Sequence, residues 1–274
     1  MTKYTIFDIH HHVGALDTGG KSKDSRVWKS EEDYAQRLQI MDKFGVWAAA
    51  VMPSSQYLRP NGIPDTCALN DLVADYRDRY HDRFPVALGT VEPLCGEEAG
   101  VKEIRRIVEK LHLNGVVWHH RFQGTFINDK RMHPFLLTLA EYQIPAFIHL
   151  FAESTMEAPW GLEALAEQYP QITFVALDAF SSSTQSKIMM GIAKRCPNIL
   201  LETGAVFPLG RIIEEAVARF GSERVLFGTD LYLDPVMYHY PHVLYEILEA
   251  PTLTEQDKQN IFWNNAQRLF RLDV

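Results

Sequence analysis

The chain has little cysteine: Cys67, Cys95 and Cys196 are the three in 274 residues, odd in number and far apart. That spacing excludes a disulfide framework and a CxxC redox or zinc motif, and it points to a reducing compartment. No apolar run approaches the roughly 18 residues that a membrane span needs. The opening MTKYTIFDIH has no apolar signal-peptide core and runs straight into a strand-like pattern, so a cytoplasmic protein without a membrane partner is expected. Positive charge is also short, with 27 Lys and Arg against 35 Asp and Glu and a net charge of −8. A nucleic-acid partner is therefore not expected, because binding phosphates requires basic surface. No GxSxG elbow occurs, and no cysteine sits in a nucleophile setting. Gly20-Lys21-Ser22 ends like a phosphate-binding loop, but Ala15 stands where the earlier glycine is required, so it reads as an ordinary loop.

What the chain does have is alternation. Hydrophobic residues make up 46% of it, enough for a large core. Short β-branched runs alternate with 3.6-period segments eight times. The strand candidates are 4–9, 46–52, 85–91, 115–118, 146–150, 173–177, 199–202 and 224–228. Ser30 with Asp33 and Thr254 with Asp257 read as capping boxes opening helices, and Gly45 can end the first helix in a left-handed conformation. Continuously apolar strands such as Phe174-Val175-Ala176-Leu177 suit a parallel sheet covered by helices. Eight βα units without a midpoint break or linker predict an α/β fold, a (β/α)8 TIM barrel, in a single domain over residues 1–274.

Such a barrel carries its reactive groups at the C-terminal ends of its strands. Strand one leads into "HHH" at His10, His11 and His12, strand three ends near Glu92, and strand four ends at His119, His120 and Arg121. Strands five to eight end at His149, Asp178, Glu202 and Asp230. Period-2 alternation puts Asp8, His10 and His12 on one face and Ile9 and His11 on the other. A His-x-His pair aimed into the barrel mouth is well placed for a divalent ion. Isolated, the pair reads equally well as hydrogen-bonded structural histidines; His149 and Asp230 at two other strand ends favour the ion.

"FDIHHH", "IPAFIHL", "RVLFGTDLY" and the closing "NIFWNNAQRLF" resemble the amidohydrolase-related family of the metal-dependent amidohydrolase superfamily, over nearly the whole chain. The resemblance implies one divalent metal, zinc first and manganese second, held by His10, His12, His149 and Asp230. It also implies that Asp230 acts as general base and that the substrate is a small molecule. Two positions depart from the family pattern. Val117 and Trp118 stand where two-metal members place a carboxylated lysine, which favours one metal. Asp178 stands where strand six usually ends in histidine. A carboxylate that only accepts hydrogen bonds cannot replace that donor, so Asp178 either binds metal or leaves the task to His119 or His120.

The implied activity is hydrolysis of a small amide, lactone or related carbonyl compound by metal-activated water, with Asp230, His149 and Asp178 as catalytic residues. Nonoxidative decarboxylation of an aromatic or unsaturated acid, and metal-independent lactone hydrolysis, are the alternatives within the superfamily; a barrel that has lost catalysis is the non-enzymatic one. Arg121, with a guanidinium suited to carboxylates, joins His119 and Tyr232 as the expected substrate-binding residues. Trp28, Tyr57, Arg59, Tyr232, Tyr238 and Tyr240 lie in segments expected to overhang the pocket, where they would face a cyclic substrate or a subunit interface of a homo-oligomer.

Overall fold

The computed structural model describes residues 3–14, 30–54, 61–205, 211–233, 236–237 and 240–272. Eight strands run parallel: β1 (Phe7–Val13), β2 (Ala48–Pro53), β3 (Val86–Ala87), β4 (Val116–Trp118), β5 (Ala146–His149), β6 (Phe174–Leu177), β7 (Ile199–Glu202) and β8 (Val225–Leu226). They pair in chain order within two sheets, β1 to β3 and β4 to β8. Two seams join the sheets. Gly89 N–H donates to the Gly115 carbonyl and Val117 N–H to that of Gly89, both between the third and fourth strands. Between the last and the first, Ile9 N–H donates to Phe227, His12 N–H to Leu231 and Leu231 N–H to His10. The sheet is therefore a closed barrel, as the eightfold alternation predicts.

Strand side chains divide between two cores. Phe7, Ile9, Ala50, Leu88, Val117, Phe147, Val175, Leu177 and Leu226 fill the interior, where Trp263, Ala266 and Phe270 from the C-terminal turns join them. Phe7 packs against the rings of Trp263 and Phe270 at 6.0 and 6.1 Å, so these turns close the N-terminal end of the barrel. The intervening strand residues, Val51, Val116, Ile148, Ala176 and Leu201 among them, face the surrounding helices in the larger core. With that end plugged, chemistry is left to the other. No described helix is long and apolar enough to cross a membrane.

The first strand departs from simple alternation. It continues through the histidines to Val13 rather than ending at Ile9, and its register against β2 shifts between Asp8 and His11. An irregularity of this kind re-aims side chains. Phe7 and Ile9 point inward, yet so do His10 and His12, while Asp8 joins His11 outside, 2.9 Å from its Nε2. Asp8 thus does not share a face with His10 and His12. Its carboxylate instead accepts from His10 N–H (2.9 Å), from Thr229 N–H (3.1 Å) and from the Thr229 hydroxyl, tying the first strand to the segment after the eighth.

Helix α1 (Ser30–Phe44) shows a second difference. Asp33 does not cap it; the buried face of α1 is Asp33, Arg37 and Met41, and Asp33 binds Arg37 and the Tyr76 hydroxyl. The capping box at Thr254 and Asp257 forms as expected.

Candidate metal centre

Three imidazoles meet at the C-terminal mouth of the barrel. Nε2 of His10 lies 2.9 Å from that of His12 and 3.2 Å from that of His149, and the last two are 3.3 Å apart. Each ring is held from behind. His12 Nδ1–H donates to the Pro53 carbonyl (2.8 Å) and His149 Nδ1–H to that of Trp118 (2.9 Å). A carbonyl can only accept, so both rings carry their proton on Nδ1 and turn an Nε2 lone pair inward. His10 Nδ1 faces Oε2 of Glu202 at 3.2 Å. Lone pairs this close repel unless a cation lies among them. Tetrahedral Zn–N bonds of about 2.0–2.1 Å would put two ligand nitrogens about 3.4 Å apart, close to the observed spacing. His10, His12 and His149 could therefore hold a divalent ion, and the donor set fits one.

Carboxylates surround the first histidine. Asp230 Oδ1 lies 3.3 Å from His12 Nε2 and 3.5 Å from His10 Nε2. Asp178 Oδ1 lies 3.9 Å from His10 Nδ1, and the ligand atoms of His10, Asp178 and Asp230 all fall within 4.8 Å of one another. Asp178 and Asp230 both adopt left-handed backbone, with φ of 58° and 52°. Aspartate tolerates that region better than most residues, and such strain concentrates at functional sites. Burial, the largest single influence, would lower the His10 pKa, but the carboxylates of Glu202, Asp178 and Asp230 together outweigh it and raise the value to about 10. His12 and His149 are lowered, chiefly by burial. Burial, followed by the charge of Asp230, holds Asp178 well above the usual carboxylate range.

A second shelf of residues flanks the triad. The His119 ring stacks on His149, 4.1 Å away and 6° from parallel, and its Nδ1 bonds to the fully buried Glu157. Glu157 also accepts from Arg121 N–H (3.2 Å) and lies 3.2 Å from Arg121 Nε. Burial pushes Glu157 up to about 7 against the opposing charge of Arg121. The Arg121 guanidinium lies 4.5 Å from the rings of both Phe122 and Phe151. Across the site, Tyr232 stacks on His12 at 4.1 Å and 14°.

With the barrel closed and the histidines converging, the chain can be set beside known proteins. An amidohydrolase family model matches residues 7–272. This chain belongs to the amidohydrolase family. A curated relative of this amidohydrolase, the 2-keto-4-carboxy-3-hexenedioate hydratase of a Sphingobium species, is 21% identical and aligns with 88% of this chain and 83% of its own. Among solved structures, 2,6-dihydroxybenzoate decarboxylase from Rhizobium superposes with a TM-score of 0.77 at 19% identity, covering 99% of this chain and 100% of that one. The 5-carboxyvanillate decarboxylase of Novosphingobium aromaticivorans, solved with manganese, gives 0.72 at 19% identity over 98% and 97% of the two chains. At these identities the solved structures establish the barrel fold.

Within this amidohydrolase the structure brings His10, His12, His149, Asp178 and Asp230 to one point, and Arg121, His119 and Tyr232 beside it. His120 is not among them. Its ring is fully buried, both nitrogens lack a partner among the described residues, and burial lowers its pKa to about 3. Glu157 is the residue that sequence reasoning misses, because it lies in the loop after β5 with no motif or strand end to mark it. Glu202 is visible as a strand end but acquires meaning only through its contact with His10. Trp28, Tyr57, Arg59 and Tyr238, the Gly20-Lys21-Ser22 stretch and the side chain of Tyr240 lie outside the described residues.

Proposed function

We propose that this amidohydrolase is a metal-dependent hydrolase of a small carboxylated carbonyl compound, such as an amide or lactone. The observation that carries the reading is the approach of Asp178 and Asp230 to within 4.8 Å beside His10. Two carboxyl groups so close resist ionising together. Asp178, held well above the usual range by burial, is the neutral member, which leaves Asp230 as the ionised one. A pair kept in opposite protonation states supplies an acid and a base.

A divalent ion held by His10, His12, His149 and Asp230 would act as a Lewis acid on the substrate carbonyl. Asp230 takes the proton of the attacking water, and Asp178 gives its proton to the departing nitrogen or oxygen. Transfer between the two carboxyls then restores the starting state, so protons balance over a turnover. A neutral Asp178 also supplies the donor that an ionised carboxylate could not. Arg121, held by Glu157 and two phenylalanine rings, offers its guanidinium edge to a substrate carboxylate. Tyr232 forms a flat wall, and His119, fixed by Glu157, presents Nε2 to a substrate hydroxyl or amide.

Nonoxidative decarboxylation is the second reading. The same neutral Asp178 could protonate the carbon that retains the electron pair as carbon dioxide leaves, and two decarboxylases share the fold. Both readings are tested together by supplying zinc or manganese and screening lactones, amides and aromatic acids, with and without a second carboxylate. Metal-dependent hydrolysis that favours the carboxylated substrates is expected. Carbon dioxide release without hydrolysis would move the assignment to the second reading, and turnover indifferent to metal would overturn both.

A further inference from the structure

We propose that Glu202 is the positioning residue of the metal centre, fixing His10 and Asp178 through a single carboxylate oxygen in a cradle made by Gly204 and Gly228. The inference rests on the reading that His10, His12 and His149 hold a divalent ion. Glu202 ends β7 and is fully buried. Its Oε2 faces His10 Nδ1 at 3.2 Å and accepts from Asp178 N–H at 2.9 Å. One atom therefore sets both the ring of a candidate ligand and the left-handed turn that presents the candidate acid.

Space around this carboxylate is reserved by glycine. A Cβ on Gly228 would lie 1.9 Å from Glu202 Oε1. A Cβ on Gly204 would lie 2.6 Å from Asp178 Oδ1, 2.7 Å from His10 Nδ1 and 2.9 Å from Glu202 Oε2. Neither glycine is among the residues with positive φ, so close approach rather than backbone conformation requires them. Glu202 Oε1, moreover, is buried without a hydrogen-bond partner among the described residues. A buried carboxylate with an unsatisfied oxygen is costly to keep for packing alone.

The arrangement separates the three histidines. At the outer nitrogen, Nδ1, His12 and His149 donate to neutral backbone carbonyls, whereas that of His10 faces a carboxylate. A carboxylate behind a ligating histidine fixes its tautomer and raises its basicity, and losing such a partner typically costs about 10–100-fold in metal affinity. Glu202 would thus make His10 the strongest of the three imidazole donors.

The test compares wild type with Glu202→Gln, which keeps size and an acceptor but removes the charge, and with Gly228→Ala, which leaves the carboxylate but takes its space. Manganese and zinc affinities are measured by competition with a chromophoric chelator, together with the visible spectrum of the cobalt-loaded protein and the melting of the metal-free protein. Both variants are expected to bind metal about 10–100-fold more weakly and to shift the cobalt bands. Wild-type affinity and an unchanged cobalt spectrum in Glu202→Gln would overturn the proposal while leaving the metal centre standing. Lower metal-free melting without any spectral change would also overturn it, by showing a structural role only. A wild-type protein that binds no divalent ion would overturn the metal-centre reading and this inference with it.

Discussion

Nη2 of Arg37 donates to the main-chain carbonyl of His12 at 2.6 Å and, together with Nε, grips the Asp33 carboxylate at 3.0 and 2.8 Å. Arg37 has no exposed surface, so helix α1 braces the histidine strand from outside the barrel with a buried ion pair. The brace acts on the backbone at the carbonyl that follows the inward His12 ring.

Removing one partner of a buried pair leaves the other charge uncompensated, at a cost of about 3–5 kcal/mol. Arg37→Met is therefore expected to destabilise the fold by that amount in urea titrations. The double change Arg37→Met with Asp33→Leu should recover part of the loss, because no charge is then left unpaired. Equal stability of wild type and Arg37→Met would show that the brace carries no load.

The pH dependence follows from His10, whose pKa rises from 6.5 in the unfolded chain to about 10 in the fold. A raised value means that the charged ring stabilises the metal-free fold fully below pH 6.5 and that this contribution is lost as pH climbs through 10. Metal must displace the same proton, so affinity should strengthen as pH rises, by up to tenfold per unit below 10. Thermal melting of chelator-treated protein, and manganese affinity at several pH values, check the two trends. Melting that rises with pH over that window, or affinity indifferent to it, would contradict the assignment.

Arg121 offers a test of substrate class. With a hydrogen bond to a charged group worth about 1.5–3 kcal/mol, Arg121→Met should raise KM for a carboxylated substrate about 10–100-fold and leave its uncarboxylated analogue unchanged. Arg121→Lys should restore little, because an ammonium lacks the planar fork. Equal effects on both substrates would remove Arg121 from carboxylate recognition.

Asp178 and Asp230 should behave as a unit. Asp230→Asn and Asp178→Asn are each expected to lower turnover about 10²–10⁴-fold, the range for removing a positioned acid or base. The double variant should be little worse than the poorer single one. Circular dichroism would show that the fold persists, and an active Asp230→Asn enzyme would remove the base from its place.

Much of this architecture is legible in the sequence because the barrel repeats a local rule. Each apolar run such as Phe174-Val175-Ala176-Leu177 announces a covered parallel strand, and its last residue falls at the mouth whatever its partners are. His149 and Asp230 are found that way. Strand one is harder, because the irregularity between Asp8 and His11 reverses the faces that simple alternation assigns to Asp8. Glu157 and Arg37 are hidden for a different reason. Their roles come from long-range contacts, to His119 and to the His12 carbonyl, and nothing in their neighbouring residues marks them. Asp178 is legible as a departure, but its chemistry is not. Whether a carboxyl donates or accepts depends on the burial and charges around it, which only the fold supplies.

Whether His10, His12, His149 and Asp230 hold a catalytic divalent ion is decided by stripping the purified, untagged protein with a chelator and titrating manganese or zinc back while turnover and bound metal are measured together. One ion per chain, with activity returning in proportion and neither regained in a His12→Ala or His149→Ala variant, is the predicted result. Full activity in the stripped protein, or tight stoichiometric binding that survives loss of His12 and His149, would contradict it.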